Sequence, residues 1–192
     1  MTKGRMEAFS DGVIAIIITI MVLELRPPEE VTFEALRPLV PTLLSYLMSF
    51  VFLGIYWANH HHMIQAVTKV TGGALWANLH LLFWLSLVPF GTAWMGESHF
   101  ARAPVAAYGM ILIGSAIAYY VLSRVLVRTE GPDSKLARAL GADLKGKASL
   151  GLYGVSVVTA FFVPMISCGI YMLVAIIWLI PDRRIERAHS EG

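Results

Sequence analysis

The chain has 192 residues, of which 57% are hydrophobic and 15% are charged, and its formal net charge is +2. Soluble domains carry about 25% charged residues, so this composition excludes an ordinary soluble protein. The small positive charge gives no support to nucleic-acid binding, because the basic residues lie in short segments between apolar runs. Cys168 is the single cysteine, which excludes a disulfide within the chain. We therefore expect an all-α integral membrane protein in contact with a lipid bilayer.

Long apolar runs set the predicted helices. An uncharged run of about 18 or more residues is typical of a membrane span, and charges, prolines and glycines mark where each run ends. A first segment that carries a few charges precedes four such uncharged runs. The six predicted helices cover residues 5–25, 38–61, 73–95, 103–127, 148–163 and 166–181. Together they form a single transmembrane domain over residues 1–192.

The last apolar run, 148–181, is too long for one span and short for two. Pro164 and Gly169 near its middle favour a tight reversal between two short helices. One strongly tilted, kinked helix is the alternative. A further short helix at the membrane surface is predicted within the polar stretch before this run, at residues 136–144.

The distribution of basic residues predicts the orientation, because cytoplasmic loops are enriched in Lys and Arg. With six spans and a cytoplasmic N-terminus, only Arg26, Arg37 and Arg102 fall outside. The remaining basic residues fall inside: Lys3, Arg5, Lys69, Arg124, Arg128, Lys135, Arg138, Lys145, Lys147, Arg183, Arg184 and Arg187. We therefore expect a multi-pass protein of the inner cell membrane with both termini in the cytoplasm.

The first predicted helix differs from the others because it carries charged side chains, including Asp11 well inside its N-terminal end. Ionisable residues in a span usually face protein or water. At about 100° per residue, one stripe of this helix contains Gly12, Ile16, Thr19, Ile20 and Leu23, and Asp11 lies on the opposite side. One face is thus suited to line a pathway and the other to anchor the helix. Aliphatic residues at helical spacing are most often ordinary packing, so the spacing alone does not choose.

Residues 5–11 (RMEAFSD) fit the pattern R-x-x-x-F-S-D, formed by Arg5, Phe9, Ser10 and Asp11. This pattern resembles the first-helix signature of the transmembrane protein 175 family of potassium channels in its prokaryotic form, with one six-helix unit per chain. Residues 56–61, 78–90 and 180–186 are also similar to that family. The resemblance covers nearly the whole chain in order.

The resemblance implies a homotetramer in which four first helices surround a central pore. It places rings of Ile16, Ile20 and Leu23 at the constriction and Thr19 in a hydroxyl layer. The family lacks the filter sequence T-V-G-Y-G, which is also missing here. The implied function is a potassium-permeable cation channel with modest preference for potassium over sodium among monovalent cations. No cofactor is expected, and potassium is the ion that passes through the pore.

Ser10 and Asp11 are then expected to hold the first helix by hydrogen bonds to neighbouring helices. The sequence does not choose among four possible partners: Trp57, Asn59, Asn78 and His80. A rival hypothesis is a proton-coupled transporter, or an enzyme embedded in the membrane, that uses Asp11, His80 and Glu24. The first helix has no repeat partner and no internal break, which favours the channel.

The histidines suggest metal binding as another kind of chemistry. His60, His61 and His62 are consecutive, so on a helix they point about 100° apart and cannot hold one metal ion together. We expect them to be solvated or to cap a helix end, and we expect His80 to be buried and hydrogen bonded. No catalytic motif is found and no metal site is predicted.

Overall fold

The structure is a computed structural model that describes residues 2–141 and 143–179 of the chain. All the regular secondary structure of these residues is helical. The helices are α1 Lys3–Ile20, α2 Val40–Gln65, α3 Gly72–Ser86, α4 Val88–Glu97, α5 Arg102–Glu130, α6 Lys135–Leu140, α7 Leu144–Ala160 and α8 Pro164–Leu179. Two 3₁₀ segments, Met21–Glu24 and Glu34–Leu39, connect α1 to α2. The prediction of an all-α chain is confirmed for the described residues.

Four helical segments are long and apolar enough to cross a membrane: Lys3–Glu24, Glu34–Gln65, Gly72–Glu97 and Arg102–Glu130. The last two helices are shorter, with 17 residues in α7 and 16 in α8. They form a hairpin that turns at residues 161–163, close to the predicted reversal. The count of six spans stays a prediction, and the similar segment at 180–186 lies outside the described residues.

The structure differs from the single helix predicted over 73–95, because α3 ends at Ser86 and α4 begins at Val88. Pro89 in the first turn of α4 explains the interruption. Proline has no backbone N–H, and its ring clashes with the carbonyl one turn earlier, so a regular helix cannot pass through it undisturbed. The short helix predicted over 136–144 is observed at Lys135–Leu140.

One end of the bundle brings three helix ends together. The Lys3 Nζ donates to the Gln65 carbonyl oxygen at 2.9 Å, which joins the start of α1 to the end of α2. The Glu130 carboxylate at the end of α5 accepts the backbone N–H groups of Thr68 and Lys69 at 2.7 and 2.9 Å. This end carries most of the basic residues of the described chain and is called the basic end below.

Polar side chains also join helices nearer the opposite end. The Ser49 hydroxyl of α2 lies 2.9 Å from the Tyr108 hydroxyl of α5 and 2.6 Å from the Thr92 hydroxyl of α4. All three side chains are buried. Because a buried hydroxyl without a partner is costly, these contacts fix how the three helices meet. The element α1 packs mainly on α2, α3 and α4, whereas α5 packs on α3 and α4 and, at the other flank, on α7 and α8.

We predict that Gly114→Ala destabilises the bundle. A Cβ at this position of α5 would clash with ring atoms of Trp84 on α3, and the indole is too rigid to yield without a shift of the helices. Overpacking of this kind costs about 1–3 kcal/mol. The thermal midpoint of the protein in detergent, followed by size-exclusion chromatography after heating, should fall.

Gly151→Ala in α7 is the matched control. A Cβ at that position meets no atom within 4 Å, and alanine favours a helix over glycine by about 1 kcal/mol. Its midpoint should therefore be unchanged or higher. Equal midpoints for Gly114→Ala and the unmodified protein would contradict the close α3–α5 packing.

Candidate functional site on the first helix

Two sides of α1 have different environments in the subunit. The buried side consists of residues spaced three or four apart, which contact α2, α3 and α4: Met6, Ser10, Ile14, Ile17 and Met21, the last in the 3₁₀ extension. This spacing keeps one face of a helix toward its neighbours. The opposite side of α1 is largely exposed.

The exposed side of α1 carries the stripe of Gly12, Ile16, Thr19, Ile20 and Leu23. Ile16 is 58% exposed, Ile20 45% and Leu23 71%. The subunit thus leaves uncovered the aliphatic residues that the helical phase grouped together. A bare aliphatic row suits lipid, another subunit or a pathway, so its role as a constriction stays a prediction.

The Thr19 hydroxyl is the polar group within this row. It donates its hydrogen to the carbonyl oxygens of Ala15 and Ile16, at distances of 3.0 and 3.1 Å. Donation to the helix's own backbone leaves the hydroxyl oxygen with lone pairs on the exposed side. Such an oxygen can contact a cation but has no hydrogen left to donate.

A buried chain of hydrogen bonds holds the other side of α1. The His60 Nε2 lies 2.8 Å from the Asn78 Oδ1, and the Asn78 Nδ2 donates to the Ser10 Oγ at 2.9 Å. Ser10 in turn donates to the Met6 carbonyl oxygen at 2.8 Å. The bond directions require the His60 Nε2 to carry the hydrogen, because the Asn78 oxygen can only accept. The chain joins α2, α3 and α1 through side chains that are at most 2% exposed.

Asp11 is bound separately, to the indole of Trp57 on α2. The Trp57 Nε1 donates to the Asp11 Oδ1 at 3.0 Å. One turn nearer the basic end, the Glu7 carboxylate accepts from the Gln65 side-chain amide at 2.8 Å and lies 3.1 Å from the His61 Nδ1. His61 also stacks on Trp57, with ring centroids 6.2 Å apart. Thus α2 holds α1 through two successive turns of polar contacts.

Two of the four proposed partners contact the motif and two do not. Trp57 binds Asp11 and Asn78 binds Ser10, as described above. The Asn59 side chain donates instead to the carbonyl of Ile55 on its own helix, at 2.8 Å. The prediction that His80 is buried was wrong, because it is exposed on the surface of α3, where its Nε2 accepts from the Trp84 indole at 3.1 Å. Its bond to Trp84 shows that it is hydrogen bonded, as predicted.

The buried position of His60 and its bond to Asn78 were not predicted from the sequence. His60 was expected to be solvated or to cap a helix end, yet it is fully buried at the α2 end of the polar chain. Its spacing of three residues from Trp57 puts both side chains on one face of α2, which is the signal that could have identified it. The motif itself also divides: Ser10 and Asp11 bind the subunit, whereas Arg5 and Phe9 lie on the exposed side.

The rival transporter residues are not brought together. Asp11 binds Trp57, His80 binds Trp84, and Glu24 lies in the 3₁₀ segment beyond the end of α1. Among the described residues, no group of three or more His, Cys, Asp or Glu side chains is placed to hold a metal ion. The three residues of the rival hypothesis therefore do not form one site.

The fold and the site define an all-helical integral membrane protein whose first helix is tied to its bundle on one side and bare on the other. Residues 5–89 match the family model described as the endosomal/lysosomal potassium channel TMEM175. A potassium channel from Chryseobacterium sp. (strain P1-3) is 58% identical over 192 residues, which is 100% of both chains. The chain therefore belongs to the TMEM175 family of ion channels, as the R-x-x-x-F-S-D pattern predicted.

Two further relatives extend this comparison. The crystal structure of a lysosomal potassium-selective channel TMEM175 homolog from Chamaesiphon minutus is 32% identical, with a TM-score of 0.79, and covers 93% of this chain and 96% of that chain. The human endosomal/lysosomal proton channel TMEM175 is 26% identical over 195 residues, which is 92% of this chain and 37% of the human protein. The similarity therefore spans both the bacterial and the animal members.

We predict that Trp57→Phe and Asp11→Ala lower the thermal midpoint of the protein by similar amounts, because each removes the same hydrogen bond. A hydrogen bond between membrane helices contributes about 0.6 kcal/mol on average and up to about 1.7 kcal/mol. The double variant should cost no more than the larger single change, since the two residues act as one pair. Additive losses in this double-mutant cycle would contradict the pairing.

Trp76→Phe is the matched control. Trp76 lies on α3 with its side chain 75% exposed, and the same ring replacement there removes no hydrogen bond of the subunit. Its midpoint should match that of the unmodified protein.

We also expect Asp11→Ala to reduce assembly or expression while leaving ion selectivity unchanged in the protein that does assemble.

Proposed function

We propose that this protein is a potassium-permeable cation channel of the inner cell membrane, assembled as a homotetramer with α1 of each subunit around a central pore. The observation that carries this proposal is the bare aliphatic row of Ile16, Ile20 and Leu23. It lies on a helix whose opposite face is fixed by buried polar side chains. A helix held in this way presents one defined face to whatever lies beyond its subunit.

Assembly follows from the number of such helices. Each chain contributes a single α1, and one helix cannot enclose a pathway, so several copies must meet along their exposed faces. The number four comes from the family resemblance. Support for permeation of potassium comes from the relatives, since the Chryseobacterium protein is named a potassium channel and the Chamaesiphon homolog a potassium-selective channel.

The proposed gate is hydrophobic. Rings of aliphatic side chains exclude water from a narrow pore, and a pore without water blocks ions without a moving plug. Ile16, Ile20 and Leu23 recur about every turn, so four copies of α1 supply successive rings. The pore opens when the helices rotate or move apart far enough for water to enter with a partly hydrated cation.

Thr19 is proposed as the polar layer between these rings. Four Thr19 oxygens with lone pairs toward the pore would replace part of the hydration shell of a cation. Their hydrogens are donated to α1 carbonyls, so the layer favours cations over anions. Without a carbonyl filter the preference for potassium over sodium is modest.

We further propose six spans per subunit, with α7 and α8 as two short crossing helices and both termini in the cytoplasm. The basic end of the bundle then faces the cytoplasm, in agreement with the enrichment of basic residues in cytoplasmic loops. At that end Lys3 joins the start of α1 to the end of α2, and Glu130 joins the end of α5 to the loop after α2.

Planar-bilayer recording of the purified protein tests the function directly. Under a potassium gradient with sodium present, we expect single-channel steps whose reversal potential shifts toward that of potassium. Flux that saturates with substrate and follows a proton gradient would instead identify a transporter and overturn the proposal.

We predict that Ile16→Asn, or Leu23→Asn, raises the potassium leak several-fold, because a polar ring holds water in the constriction. Liposome flux of potassium and bilayer conductance measure the effect. Ile176→Asn on α8 is the control, since Ile176 is 51% exposed, similar to Ile16 at 58%, and is far from α1 in the chain. Unchanged currents for polar substitutions at Ile16, Ile20 and Leu23 would reject the pore assignment.

We predict that Thr19→Val lowers the preference for potassium over sodium while the channel stays conductive, because valine keeps the shape and removes the oxygen. The reversal potential between equal potassium and sodium solutions should move toward zero. Thr129→Val removes a hydroxyl bound in the same way, to the carbonyl four residues earlier, and should leave the potential unchanged. An unaltered potential for Thr19→Val would contradict the hydroxyl layer.

A further inference from the structure

A cavity of about 220 Å³ lies between α2, α5, α7 and α8, on the flank of the subunit away from α1. Each of the four helices contributes aromatic side chains to its wall: Phe52, Tyr56, Tyr119, Tyr120, Tyr153 and Trp178. The candidate site on α1 does not use this cavity. The cavity is therefore separate from the candidate site on the first helix.

The polar atoms of two of these aromatic groups are already bound by the protein. The Trp178 Nε1 donates to the Ser149 Oγ at 2.8 Å, and the Tyr119 hydroxyl lies 3.4 Å from the Asn59 carbonyl oxygen. Apolar atoms also make up most of the surface that the wall exposes, so it offers mainly carbon to an occupant. Apolar cavities of about 150 Å³ stay dry and bind apolar molecules, so this larger one favours a hydrocarbon group over water.

The cavity opens sideways, toward the outside of the bundle. Ile117 and Tyr120 on α5 and Leu150 on α7 line it and are 43%, 41% and 39% exposed. An opening with apolar edges on the membrane-facing flank admits hydrocarbon chains directly from the bilayer.

One edge of the cavity is basic. Lys147 lines it at the start of α7, and Arg124 lies one turn beyond Tyr120, with its guanidinium 5.0 Å from the Tyr120 ring centre. Asp143 is the acidic group nearby, and its Oδ1 accepts the Gly146 N–H at the N-terminus of α7, which favours negative charge there. The edge thus carries two cations, Lys147 and Arg124, and one carboxylate, Asp143, which is bound to the N-terminus of α7. Basic sites between membrane helices bind anionic lipid head groups.

We propose that this cavity binds an acyl chain of an anionic phospholipid from the leaflet at the basic end, with the phosphate beside Lys147 and Arg124. The apolar wall and sideways opening suit the acyl chain, and the basic edge suits the phosphate. The two features lie in the same order as the two parts of a lipid in a bilayer. A second copy of the chain is the poorer occupant. The choice of lipid over a second copy of the chain rests on the proposed function, in which α1 lies at the pore axis and the α5–α7 flank faces the lipid.

Native mass spectrometry of the protein released from detergent, with added phosphatidylglycerol or phosphatidylcholine, tests the proposal. We expect phosphatidylglycerol to be retained at least tenfold more tightly than phosphatidylcholine. Ala116→Phe fills the cavity from α5 and should abolish this retention. Ala148→Phe makes the same change at an exposed position outside the cavity and should not.

Lys147→Gln provides a variant at an exposed position that leaves the packing intact, with Lys135→Gln on α6 as its control. The first should reduce the preference for phosphatidylglycerol severalfold and the second should leave it unchanged. Equal retention of both lipids, or undiminished binding by Ala116→Phe, overturns the proposal. The same spectra report the number of subunits. A mass other than that of a tetramer with lipid selectively bound would therefore reject the proposed assembly and leave the lipid site standing.

Discussion

The hydrogen bonds between α1 and its neighbours are the constraint on which the arrangement of the subunit depends. In a bilayer, apolar contact does not distinguish a protein neighbour from lipid, so helix positions are fixed by close packing and interhelical hydrogen bonds. Ser10 binds Asn78 on α3, and Asp11 binds Trp57 on α2. Adjacent residues point about 100° apart on a helix, so these two bonds set the rotation of α1 about its axis.

That rotation decides which side of α1 is bare. With Ser10 and Asp11 turned toward α3 and α2, the stripe through Ile16 and Leu23 must face outward. The anchors lie near the basic end, and Ile20 is about 15 Å further along the helix at about 1.5 Å per residue. A motion that keeps the anchors is therefore largest in the half that carries the aliphatic rows. The 3₁₀ segment Met21–Glu24 ends that half, where the helical hydrogen bonding is already altered.

The features predicted from the sequence are those with a strong local signal. Uncharged runs located the helices, and helical phase separated Asp11 from the row at Ile16. Burial was not predictable in the same way, because a lipid-facing surface is as apolar as the core and leaves little amphipathic pattern. His60 and His80 were accordingly exchanged: the first is buried and the second exposed. The interruption at Leu87 was missed because the hydropathy continues unbroken across Pro89.

The helix α2 is shared between the two flanks of the subunit. Trp57 and His60 face the polar anchor of α1, whereas Phe52 and Tyr56 line the aromatic cavity. Tyr56 and Trp57 are adjacent, so any occupant that shifts α2 acts on the hydrogen bond to Asp11 as well. Coupling between two sites is reciprocal. If an occupant of the cavity shifts α2, a change in the position of α1 in turn alters the affinity of the cavity by the same free energy.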